Sequence, residues 1–551
     1  MGPIHAQDQA FLHLGNNYYH HKDRWLAHLR CTDPRDDKVR IEDTKGGLLR
    51  DSYRWVLDNA EFQQWYDGEG SQLLWIKGGP GKGKTMLICG IIDELASLTK
   101  LAGRANAEQA PSLKPIDNTQ SAALAYFFCQ ATDSRINKAT SVLRGLIYLI
   151  VKQQPSLLSH IQEIYDDPDE ALFSDPNAWV ALSNMFDILL PKLRQQVTYI
   201  IVDALDECIK DLPRLLDFII KTLKFPNVKW IVSSRNVTDI ERKLTQGWSQ
   251  PWLSLEIKEN AEQVSLAVRS YIRHGVSELL NLNDEKLKAR IGDAMQRKAE
   301  GTFLWASLVI EELKRAESWE VEQILEKLPS DLEDLYNRML DQIRWLGRER
   351  QSLCLLLLSA ATTAYRPLHL SELGIVAELP EQISDKPESV ATIVSLCGSF
   401  LTIREEYVFI VHQSAKDFLL GRESQVFPHN IQQVHQSMFS RSILTLSHTL
   451  RRDIYGLNHP GFPIDEVKQP NPDPLAKVRY SCIYWVDHLQ DSGPIWNADN
   501  SQAVNIFLRS SYFHWLEALS LLRSTSVGIL SMLKLECLLQ VRHTYPIVKS
   551  H

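Results

Sequence analysis

Through the first 260 residues, short apolar runs alternate with longer stretches of helical period. Residues 1–19 carry no periodicity. Asp23 to Cys31 reads as a short helix that stops at the turn-rich Thr32-Asp33-Pro34-Arg35-Asp36-Asp37. Ser52 to Trp65 places Trp55, Phe62 and Trp65 on one side of a helix. Leu73 to Ile76 is a wholly apolar strand, and Met86 to Leu95 an apolar helix. The polar segment 103–118, with two prolines, reads as an exposed loop. Strands are expected over Ala122–Cys129, Val197–Asp203, Val228–Ser233 and Leu253–Ile257. Helices are expected between them, over Ala139–Lys152, Ala178–Leu193 and Leu212–Leu223. Continuous apolar strands alternating with helices predict a parallel sheet covered on both faces, an α/β domain.

Beyond Glu259 the strands stop, and helical period continues to about Ile343. Leu353 to Glu378 predicts two more helices. Phe400 to Arg404 and Tyr407 to Val411 flank Glu405-Glu406 as a tight hairpin. Helices followed by a hairpin suggest a small winged-helix unit. Residues Ile431 to Val541 are again helical in pattern, interrupted by the proline-rich Asn458 to Pro474, and no repeat of solenoid or propeller period is present. The aromatic residues Trp485, Trp496, Phe513 and Trp515 read as helical core.

At 551 residues the chain is too long for one hydrophobic core. Its apolar content of 44% and charged content of 23% are ordinary for a soluble globular protein. A net charge of −8 gives no global attraction for nucleic acid or an anionic membrane. No basic-then-apolar pattern opens the chain, and the longest apolar run, Leu353 to Ala361, is too short to span a bilayer. The eight cysteines are scattered without a C-x-x-C pair, and His20-His21 stands alone. That pattern argues against zinc and against a disulfide framework, and for reduced thiols in a cytoplasmic protein.

The strongest chemical signal begins where the first strand ends. Gly78-Gly79-Pro80-Gly81-Lys82-Gly83-Lys84-Thr85 fits G-x-x-x-x-G-K-T between a strand and a helix, the context of a phosphate-binding loop. Backbone N–H groups of such a loop and the following helix N-terminus face the phosphates. Lys84 can reach the β- and γ-phosphates, and the Thr85 hydroxyl can ligate Mg²⁺. A second motif is Tyr199-Ile200-Ile201-Val202-Asp203-Ala204-Leu205-Asp206-Glu207. Its strand delivers Asp203 to the sheet edge, where a carboxylate holds Mg²⁺, and either Asp206 or Glu207 could polarise an attacking water. A third strand ends in Ser233-Ser234-Arg235, from which Arg235 can read a γ-phosphate. These motifs predict binding of ATP/ADP or GTP/GDP with Mg²⁺, and they do not choose between the bases.

With these motifs, the chain resembles the fungal NACHT proteins of the signal-transducing NTPase class, which include heterokaryon-incompatibility proteins. The likeness extends to Thr32-Asp33-Pro34-Arg35-Asp36-Asp37-Lys38, Thr44-Lys45-Gly46-Gly47-Leu48-Leu49, Tyr126-Phe127-Phe128-Cys129-Gln130 and Gly301-Thr302-Phe303-Leu304-Trp305. It implies an N-terminal extension with a short helix (1–43), a NACHT nucleotide-binding domain (44–258), a helical domain (259–346), a winged helix (347–425) and a C-terminal helical domain (426–551). It also implies a switch between a closed diphosphate form and an open triphosphate form that assembles into homo-oligomers. His412, in Phe409-Ile410-Val411-His412-Gln413-Ser414, resembles the family histidine that contacts the diphosphate. Two departures from the family are the absence of an effector domain before residue 20 and of repeats after His551, so the protein partners stay unidentified. Position 79 is glycine where many relatives have an acidic residue, and the change is expected to be tolerated because that position points out of the loop. Two functions compete: a slowly hydrolysing switch, and an interaction scaffold that keeps nucleotide as a structural ligand. A motor is disfavoured, since the sequence has neither a basic stripe nor a membrane span.

Overall fold

The computed structural model describes residues 25–68, 72–97, 122–165, 172–173, 176–194, 196–245, 252–279, 284–422, 426–427, 430–459, 461–493 and 498–544. The expectations for residues 1–19, His20-His21, the segment 103–118 and Trp496 lie outside these. The described residues form two compact units, dividing between Leu332 and Glu333.

The first unit is built on a five-stranded parallel sheet. Its strands are β1 (Leu73–Lys77), β2 (Ala123–Phe128), β3 (Thr198–Asp203), β4 (Val228–Ser234) and β5 (Trp252–Ser254), in the order β2-β3-β4-β1-β5. Strands β2, β3 and β4 are buried along their whole length, which is why β2 and the middle of β3 read as apolar runs. Helices Lys84–Ala96, Ala139–Gln153, Ala178–Lys192 and Leu212–Thr222 make the crossovers. The order matters for chemistry. Strand β4 lies between β1 and β3, so its carboxyl end emerges between the glycine loop and Asp203.

Three sequence expectations are corrected here. The segment 32–37 is no turn: Asp33 caps the helix Pro34–Thr44, accepting the Arg35 N–H, with Pro34 in the first helical turn. Ser52 to Trp65 is not one helix. A helix Arg50–Tyr53 and a 3₁₀ turn Arg54–Val56 give way at Asn59, whose side chain caps a new helix, Ala60–Asp67. The last strand is shorter than Leu253–Ile257, because Ile257 already caps the helix Lys258–Ser277. Further helices Glu285–Lys298, Phe303–Arg315 and Val321–Lys327 complete the unit.

The second unit is mainly helical. A hairpin pairs β7 (Leu401–Arg404) with β8 (Tyr407–Ile410) through Glu405 and Glu406, both at positive φ (45° and 65°), as a two-residue turn of matching twist requires. A short strand β6 (Leu368–His369), absent from the sequence reading, pairs with β8. Helices Ile431–Thr449 and Arg479–Asp491 pack with Ala498–Leu521 and Thr525–Thr544 around Trp485 and Trp515, both fully buried. Phe513 is not core: it is 79% exposed, because it faces away from that cluster.

Candidate functional site

The glycine loop is shaped by backbone that only glycine adopts cheaply. Gly81 and Gly83 lie at φ 72° and 86°, turning the chain from β1 into the helix that starts at Lys84. The Lys84 ammonium folds back on the loop, donating to the carbonyls of Gly78 (2.6 Å) and Gly79 (2.9 Å). Burial pulls its pKa below the ordinary lysine value, opposed by the charges of Asp206 and Asp203. Pro80 is exposed, in the turn of the loop.

Asp203 ends β3 fully buried. It accepts the Ser233 hydroxyl at 2.5 Å and the Thr85 hydroxyl, and burial pushes its carboxyl pKa up against those hydrogen bonds. The next residue, Ala204, is forced to φ 56°, with its N–H held by the Ser233 oxygen at 2.9 Å. That bend starts a 3₁₀ turn, Leu205–Glu207, which separates the two remaining acids. Asp206 accepts the Arg235 backbone N–H (2.9 Å) and its Nε (3.2 Å), so it anchors the arginine. Glu207 accepts the Ala131 N–H at 3.0 Å, and burial pushes it up to about 7. The sheet order therefore brings Lys84, Thr85, Asp203, Asp206, Glu207 and Arg235 to one edge. The donor set fits Mg²⁺: a hydroxyl and one buried carboxylate leave most of an oxygen shell to water and phosphates, as this cation prefers. Among the described residues no cluster of three or more His, Cys, Asp or Glu could hold a metal by itself.

His412 belongs to the second unit. Its Nδ1 accepts the Ser414 N–H (3.1 Å) and lies 2.8 Å from the Ser414 hydroxyl, capping the helix Gln413–Gly421. A neutral ring so engaged carries its proton on Nε2.

Three contacts to the loop were invisible in the sequence. Lys82 Nζ donates to the carbonyls of Glu300 (3.1 Å) and Gly301 (3.3 Å) and reaches the Thr302 hydroxyl (3.4 Å). A Cβ on Gly81 or Gly83 would meet Thr302, Leu304 or Phe303 within 2.9 Å, so the Gly301–Trp305 motif packs on the loop. Glu256, just past β5, accepts the Gly79 N–H at 2.9 Å and the Asn236 amide at 2.5 Å. This last contact gives position 79, which points out of the loop, a neighbour there. A Cβ there would lie 2.8 Å from the Glu256 carboxylate, so the position does not face open solvent.

With the geometry established, comparison with known proteins is informative. The family described as nephrocystin 3, N-terminal, matches residues 51–235, the span from before the glycine loop to Arg235. The vegetative incompatibility protein HET-E-1 of Podospora anserina is 47% identical over 544 residues, covering 94% of this chain. Over nearly its whole length the chain is similar to a fungal NACHT-type incompatibility protein. It spans 38% of the length of HET-E-1, so this likeness concerns that part. Among solved structures, a Walker-type ATPase of Pyrococcus abyssi aligns with a TM-score of 0.33 and 13% identity, covering 68% of this chain and 95% of its own. The Aeropyrum pernix ORC1 protein, solved in complex with DNA, aligns at 0.28 and 14%, covering 68% and 91%. No helix among the described residues is long and apolar enough to cross a membrane.

Proposed function

We propose that this NACHT chain is a nucleotide-dependent molecular switch that binds ATP or GTP with Mg²⁺ and hydrolyses it slowly, in fungal non-self recognition or related cell-death signalling. The observation that carries the reading is the meeting of the Thr85 hydroxyl with the buried Asp203 at the mouth of a glycine loop whose lysine is already folded inward. The loop amides and the helix N-terminus at Lys84 would bind the β-phosphate, and Lys84 would bridge β and γ. Thr85 and Asp203 would hold the Mg²⁺, which when bound neutralises phosphate charge. Arg235, fixed by Asp206, would read the γ-phosphate, and Glu207 would orient the attacking water. A Glu207 carboxyl held near pH 7 by burial is only partly ionised at neutrality, which favours slow turnover over fast. The same observation favours, as a second reading, a scaffold that retains nucleotide without hydrolysing it.

The test is Lys84→Ala, with the nucleotide released on denaturing the wild-type protein identified in parallel. An ammonium about 4 Å from a phosphate charge gains roughly 4 kcal/mol at an effective dielectric near 20, before desolvation. Even half of that is more than tenfold in affinity. The variant should fold and lose nucleotide. Wild-type affinity in a folded Lys84→Ala protein would overturn the reading.

A further inference from the structure

Lys84 rests on the first two carbonyls of its own loop, and something must hold those carbonyls in place. The peptide joining Gly78 to Gly79 offers its C=O to Lys84 Nζ at 2.6 Å. The N–H of that same peptide donates to Glu256 Oε1 at 2.9 Å. In a planar trans peptide the two groups point in opposite directions, so this unit is held at both ends. Flanking glycines would otherwise let it rotate, turning the carbonyl away from the lysine. Glu256 also receives the Asn236 amide at 2.5 Å, and Asn236 directly follows Arg235. One carboxylate thus ties the start of the glycine loop to the end of β4.

We propose that Glu256 is a positioning residue of the nucleotide site, holding the Gly78–Gly79 peptide for Lys84 and, through Asn236, the strand end that carries Arg235. The inference rests on the nucleotide reading above. An ammonium has three donors: two are spent on the loop carbonyls, leaving one to be shared between the β- and γ-phosphates. Fixing the carbonyls therefore fixes where the third donor points. Arg235 and Lys84 would both face the γ-phosphate, so Glu256 sets the separation of two cations on a group that only a triphosphate has. Its effect should be larger on triphosphate than on diphosphate.

The experiment is titration calorimetry of the full chain with Mg²⁺ plus ATP, ADP, GTP or GDP, alongside thermal melting. Glu256→Ala should weaken triphosphate binding about three- to tenfold, the range of one lost hydrogen bond, and diphosphate binding less. Glu256→Gln should recover most of the loss. Its amide oxygen can take the Gly79 N–H, and its NH₂ can donate to a turned Asn236. Asn236→Ala should lower triphosphate affinity alone, and adding it to Glu256→Ala should cost nothing more, since it acts through the same carboxylate. An unchanged triphosphate-to-diphosphate ratio in Glu256→Ala overturns the proposal, as does an equal loss of both ligands with a lowered melting temperature. If the wild-type chain binds none of the four nucleotides, the functional reading fails and this one with it. If it binds and only the ratio is unmoved, this one fails alone.

Discussion

Asp203 is a buried carboxylate and Glu207 a half-buried one within one short stretch, and their partners differ in kind. Asp203 is met by two hydroxyls, groups a cation can replace or share, whereas Glu207 is met by one backbone N–H. A metal ligand is needed in the ground state and a water-orienting base mainly in the transition state. Asp203→Asn should therefore lose Mg²⁺-dependent binding. Glu207→Gln should keep nucleotide and lose about a hundredfold or more in turnover, the usual contribution of a general base. Only the ionised carboxylate can take a proton, so wild-type turnover should climb as pH rises through about 7. Single-turnover hydrolysis from pH 6 to 8 would check both points. If Asp206→Asn stops turnover while Glu207→Gln does not, the two acids exchange roles. Most of this site was legible because its key residues sit in contiguous motifs. Glu256 was not: it reaches Gly79 across 177 positions, and nothing local marks it.

The helices Ile431–Thr449 and Arg479–Asp491 are joined by a contact with a pH dependence of its own. His435 and His488 are buried with their Nδ1 atoms 2.8 Å apart, a distance that requires one proton between them. Tyr480 OH lies 2.8 Å from His488 Nε2 and accepts the Tyr365 N–H, while Tyr365 OH donates to Asp491. Both ring nitrogens of His488 are satisfied if Tyr480 donates to its Nε2 and its Nδ1–H donates to His435, with both rings neutral. Burial lowers both pKa values, and Lys416 lowers that of His435 further while Asp491 opposes. An unfolded histidine takes its proton near pH 6.5, and the folded pair refuses it. The unfolded state then binds more protons below that pH, and stability falls as pH falls. The loss is about 1.4 kcal/mol per pH unit for each group until the folded pKa is reached. Amide hydrogen exchange on these two helices should therefore quicken between pH 7 and 5 relative to the rest of the chain. His435→Asn combined with His488→Gln should flatten that dependence, and equal slopes would refute it. At this scale strands β1 to β4 were readable to within a residue or two, because burial leaves them few polar positions, whereas β5 ends three residues before the expected Ile257. Boundaries set by caps were not. Asp33-Pro34 suits a turn or a helix start equally, and Asn59 breaks a helix whose apolar spacing runs on. Strand β6 is only two residues long, and β8 alone creates it.

At the scale of the whole molecule, the chain has two units, and the switch and scaffold readings differ in what nucleotide does to the unit that does not contain the glycine loop. A ligand that binds one folded unit raises its stability by RT ln(1 + [L]/Kd), about 2.7 kcal/mol at a hundredfold excess over Kd. That gain belongs to the first unit under either reading. A ligand can bias a second element only through a difference in its free energy between two states. If nucleotide is a structural ligand alone, tri- and diphosphate should leave the second unit's unfolding unmoved. The switch reading expects them to move it by different amounts. The two transitions can be told apart without cutting the chain, because acidification should lower the one that contains the His435–His488 pair. Scanning calorimetry at pH 7.5 and 5.5, with Mg²⁺ and either nucleotide, should then show the acid-sensitive transition shifting by several degrees between triphosphate and diphosphate. A shift of that size corresponds to about 1–2 kcal/mol in a unit of this length. In Lys84→Ala the difference should vanish. An acid-sensitive transition identical with both nucleotides, in a protein that demonstrably binds them, would decide for the scaffold.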